Sequence, residues 1–183
     1  MDAPATEPDA PAPKGSPAGF RIAALLLPRL LAGIYLIALL SWAVQWRGLV
    51  GADGILPLRE MMEAVSAAEQ RAGASLFWQF PAVFHWGASD AFIQGVIACG
   101  IMLAMLVMAG ICQGPGLLAL WFIYLSLVVT GNVFMGFQWD ALLLEAGLLA
   151  VFLAPWRLWS APRAAREPPR VARCLLHWLV FRR

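Results

Sequence analysis

Phe137-Gln138-Trp139-Asp140-Ala141-Leu142-Leu143-Leu144-Glu145-Ala146-Gly147 decides the fold, and it runs on as an apolar segment to Trp156. Trp139 and Trp156 bracket it as interfacial aromatics bracket a membrane span. Glu145 lies inside that bracket, about 9 Å past Trp139 along a helix. A carboxylate at that depth costs on the order of 2.5–3.5 kcal/mol unless it is neutral, paired or wetted. Asp140 and Glu145 sit about 140° apart around a helix, so they do not face each other as a pair. Gln138 and Glu145 share a face if the helix begins before Gln138. Asp140 therefore reads as a helix cap or interfacial group, and Glu145 as a group turned toward other helices. Structural hydrogen bonding within a bundle is the expected role of both, because buried polar groups are normally satisfied locally.

The composition agrees with a membrane setting. Hydrophobic residues make up 61% of the chain, charged residues 13%, and the mean hydropathy is +0.73. Soluble domains hold about 45–50% apolar and about 25% charged residues. The fold class expected is an all-α membrane protein: a four-helix transmembrane bundle plus the start of a fifth span. The net charge of +2 is spread beside the spans, which argues against nucleic-acid binding. Cys99, Cys112 and Cys174 lack the spacing of a disulfide framework and read as small apolar residues. His85 and His177 are far apart in sequence, so neither a metal site nor a cofactor is expected.

Residues 1–19 are rich in Ala and Pro and read as a disordered cytoplasmic tail, without the pattern of a cleavable signal. Residues 20–183 form the transmembrane domain, with spans at about 22–46, 91–111, 117–137 and 141–156 and a partial one at 174–181. Pro28 and Arg29 interrupt the first span, where Arg29 is expected to snorkel to the near interface. The long loop between spans one and two contains a helical pattern from Leu58 to Ala72, with Leu58, Met61, Met62, Val65 and Ala68 on one face. Trp78, Phe80, Phe84 and Trp86 follow and suit the headgroup level. These four are the candidate partner surface.

Basic residues orient the chain. Arg157, Arg163, Arg166, Arg170 and Arg173 follow the fourth span and belong on the cytoplasmic side. Four crossings place the N-terminus there too, in agreement with Lys14, Arg21 and Arg29. Gln94, Asn132 and Glu145 then share a depth beneath the outer mouth, with Gln138, Trp139 and Asp140 above. A hydrogen bond from Glu145 to Gln94 or Asn132 is the expectation.

Several stretches together resemble the lipase maturation factor family: Trp121–Trp156 above all, with Tyr124-Leu125-Ser126-Leu127 and the Phe137–Gly147 block. Gly51-Ala52-Asp53-Gly54-Ile55-Leu56-Pro57, Leu76-Phe77-Trp78 and His177-Trp178-Leu179-Val180-Phe181-Arg182 support it. The resemblance covers roughly Leu25 to Arg182. It implies a multi-pass protein of the endoplasmic reticulum membrane, or of the inner membrane in bacterial members. The implied activity is assistance to the folding of exported lipases or other hydrolases, without catalysis. In that family a large C-terminal lumenal domain follows the spans, so the chain is expected to be incomplete for chaperone work. Membrane lipids, an exported hydrolase client or a second membrane subunit are the expected partners. The competing reading is a membrane enzyme, distantly similar to vitamin K-dependent carboxylase-type domains, or a quinone- or proton-handling subunit. Either would carry Glu145 in an outward-facing pocket of roughly 300 Å³ or more.

Overall fold

The structure, a computed structural model, describes residues 18–131, 133–156, 174, 175, 177, 178 and 181, with side chains from Leu26 onward. Five α-helices lie along the continuous part: α1 (Ala18–Leu49), α2 (Leu58–Ala72), α3 (Asp90–Met108), α4 (Gln113–Thr130) and α5 (Gln138–Leu153). A short 3-10 turn, Val83–Trp86, precedes α3. Helices α1, α3, α4 and α5 form the bundle; α1 and α4 touch each other and each packs on both α3 and α5.

The periodicity of α1 explains its placement. Leu31, Tyr35, Leu39, Trp42 and Trp46 recur every three or four residues and are buried. Leu30, Ile34, Ile37, Leu40 and Val44 recur likewise and are exposed. An exposed apolar stripe of that length has hydrocarbon as its natural solvent. Among the described residues three helices are long and apolar enough to cross a membrane: Leu26–Leu49 within α1, Asp90–Met108 and Gln113–Thr130. The fourth expected span falls on α5, which is shorter than these three, with 16 residues. That rises about 24 Å.

The loop after α1 folds back on that helix. Amides of Val50 and Gly51 donate to the Trp46 carbonyl, Ile55 to Gly48, Leu56 to Leu49 and Leu58 to Val50. The orphan carbonyls that end any helix are thereby satisfied. Gly54 makes the return feasible, since a Cβ there would lie 2.9 Å from the Leu49 carbonyl. Ala52 N–H donates to Asp90 Oδ1 at 3.1 Å, tying the loop to the start of α3. Helix α2 spans the residues its periodicity predicts, with Leu58 and Met62 buried and a left-handed Gly73 at its end. At the opposite end of the bundle, the Arg29 guanidinium packs against Gly110 in the α3–α4 turn. The tail before residue 18, Asn132 and the Arg157–Arg173 cluster lie outside the described residues.

Candidate functional site

The chain has two tyrosines, and both lie within spanning helices. Tyr35 of α1 and Tyr124 of α4 meet edge to face, with ring centroids 5.3 Å apart at 77°. A buried phenol needs an acceptor, and each finds one on α5. Tyr124 Oη donates to Asp140 Oδ1 at 2.5 Å, the short end of the range for a hydroxyl on a carboxylate. Tyr35 Oη donates to the Leu143 carbonyl at 3.0 Å. Trp121 Nε1 adds a third donor, 2.9 Å from the Leu144 carbonyl. Side chains from two helices thus grip successive turns of α5.

Gly147 makes this grip possible. A Cβ at that position would overlap the Tyr35 hydroxyl. The face of α5 that carries Asp140, Leu143, Gly147, Ala150 and Val151 is the buried one. The Phe137–Gly147 block therefore encodes a clasp: an acid for one tyrosine, exposed carbonyl edges for two more donors, and a glycine that admits the second tyrosine.

This arrangement gives Asp140 a role other than the cap expected of it. Asp140 is only 4% exposed. It is not the helix cap, which is Phe137 without any side-chain cap bond. The third position of α5 points its side chain at α4, where Tyr124 claims it, and a carboxylate in the first turn also suits the helix dipole. Glu145 is half-buried, while Gln138 and Trp139 are exposed, Trp139 stacking on Phe137 at 4.8 Å. Gln94 is exposed on α3, whose main packing partners are α1 and α4. Asn132 lies outside the described residues.

Above the clasp, Trp42 Nε1 donates to Met135 Sδ at 2.8 Å and holds the α4–α5 loop against α1. A groove of about 420 Å³ opens between α1 and the start of α5. Its walls include Ile34, Ile37, Ala38 and Leu143, its rim Ser41 and Gln45, and its back Tyr124 and Asp140. Neither Glu145 nor Gln94 lines it. Of the four partner-surface candidates, Trp78 is 90% and Trp86 73% exposed, and Phe80 is half-buried. Phe84 must be withdrawn: it is 2% exposed and packs edge-on against Phe92 at 6.4 Å. Among the described residues no group of three His, Cys, Asp or Glu could hold a metal.

Lipid-length apolar stripes around a polar clasp define a class, the multi-pass helical membrane protein. The chain belongs to the lipase maturation factor family, whose "Lipase maturation factor transmembrane domain" matches residues 22–183. It is 31% identical to lipase maturation factor 1 of Bos taurus over 92% of this chain and 32% of the relative. It is 36% identical to lipase maturation factor 2 of Xenopus laevis over 83% of this chain and 22% of the relative. Human lipase maturation factor 1 is 31% identical over 96% of this chain and 34% of its own length. The chain thus spans about a third or less of these relatives. No solved structure matches it.

Proposed function

We propose that this chain is the membrane-embedded part of a maturation factor that assists the folding of exported lipases or other hydrolases, and that it is not itself an enzyme. The observation that carries this reading is the family match over residues 22–183. The clasp is in keeping with it. Asp140, buried among the described residues, accepts from a tyrosine and so fastens α5 to α4. Trp78 and Trp86 form the surface that meets headgroups, a client or a second membrane subunit. The basic residues flanking the spans support an orientation with the N-terminus and the Arg157–Arg173 segment on the cytoplasmic side, in an endoplasmic reticulum or bacterial inner membrane.

The test is secretion. Cells lacking the chain are complemented with the wild type or with Trp78→Ala/Trp86→Ala, and active exported lipase is assayed alongside total lipase protein. Loss of specific activity in the deletion, restored by the wild type and not by the double variant, is expected. Unchanged lipase activity in the deletion overturns the reading.

A further inference from the structure

We propose that the groove between α1 and the start of α5 binds one membrane phospholipid with an ammonium head group, an acyl chain lying along α1 and the head turned toward Asp140. This goes beyond the maturation role and does not depend on it. The groove opens on the exposed α1 stripe, for Ile34 and Ile37, its outer wall, are 52% and 70% exposed. In a spanning helix that stripe faces hydrocarbon, so the molecule with direct access is a lipid. From Ile34 to Gln45 the wall rises about 16 Å, close to one leaflet of a hydrocarbon core about 30 Å thick.

Polarity along the wall is ordered. Ile34, Ile37 and Ala38 come first, then Ser41 and Gln45, so chain and head have separate places. Charge selects the head. Among the described residues of the wall, Asp140 is the one acidic side chain and none is basic. An anionic head would meet a carboxylate with no compensating cation, whereas an ammonium with N–H donors meets an acceptor. The volume of about 420 Å³ suits part of a lipid and is too small for a transmembrane helix, whose cylinder is about 10–12 Å wide.

The experiment is native mass spectrometry of delipidated protein mixed with phosphatidylethanolamine, phosphatidylcholine or phosphatidylglycerol in detergent. Phosphatidylcholine carries the positive charge without N–H donors, and phosphatidylglycerol is anionic. One phosphatidylethanolamine per chain, retained at least about tenfold better than phosphatidylglycerol, is expected. Ala38→Phe fills the groove and should abolish retention while the bundle still melts cooperatively. Asp140→Asn keeps an acceptor for Tyr124 and should reduce phosphatidylethanolamine to the phosphatidylcholine level. Equal retention of all three lipids by the wild type, preference for phosphatidylglycerol, or undiminished retention in either variant overturns the proposal. If Ala38→Phe fails to fold, the wild-type ranking and Asp140→Asn decide it.

Discussion

Asp140 and Gly147 are two ends of one device, and substitutions separate them. Asp140→Ala strands the Tyr124 hydroxyl in the bundle, which costs about 1–3 kcal/mol. Asp140→Asn keeps an acceptor, so the thermal midpoint in detergent should fall less than for Asp140→Ala. Gly147→Ala drives a methyl into the Tyr35 hydroxyl and should cost about 1–3 kcal/mol through overpacking. Tyr35→Phe removes the offending oxygen, so the double variant should be more stable than the sum of the singles, a coupling that a double-mutant cycle in thermal melts reads directly. Gln113 gives the opposite expectation. It is fully buried, and neither amide atom has a partner among the described residues. Gln113→Met keeps the shape and removes the unsatisfied amide, so it should raise stability by about 1 kcal/mol; a lower midpoint would mean that the amide is bonded after all. None of these roles could be read from one segment. Two mid-span tyrosines signalled a need for acceptors, yet choosing Asp140 over Glu145 required knowing which turn of α5 faces α4.

The helices themselves were legible, because each is a long apolar run or a clear 3.6-residue pattern. Helix α2 begins and ends on the residues its periodicity marked. The aromatic loop was only half legible: composition put Trp78, Phe80, Phe84 and Trp86 in one category, while packing sends Phe84 inward against Phe92 and leaves the two tryptophans outside. One hydroxyl joins this loop to the bundle. Ser126 Oγ accepts from Val83 N–H at 2.9 Å and donates to the Phe122 carbonyl at 2.7 Å. Ser126→Ala leaves the Val83 amide without that acceptor, at about 1–3 kcal/mol. Limited proteolysis should then cut faster between residues 73 and 89 while the bundle helices stay protected. An unchanged cleavage rate would show that the 3-10 turn is held by apolar packing alone.

At the scale of the whole molecule the open question is which way the bundle faces. In a background without Cys99, Cys112 and Cys174, single cysteines at Glu7, Ala74 and Arg163 report it through a membrane-impermeant thiol reagent. The basic-residue count predicts that Glu7→Cys and Arg163→Cys react together from the cytoplasmic side and Ala74→Cys from the other. Labelling of Glu7→Cys and Arg163→Cys from opposite sides would mean that α5 does not complete a crossing.

Helix α5 stops roughly 6 Å short of a hydrocarbon slab about 30 Å deep. If α5 completes a crossing, the two monolayers beside it thin or its flanking residues reach outward, at a fraction of a kcal/mol for every ångström of misfit. A thicker, sterol-rich membrane accommodates so short a crossing at a greater cost than a thin one.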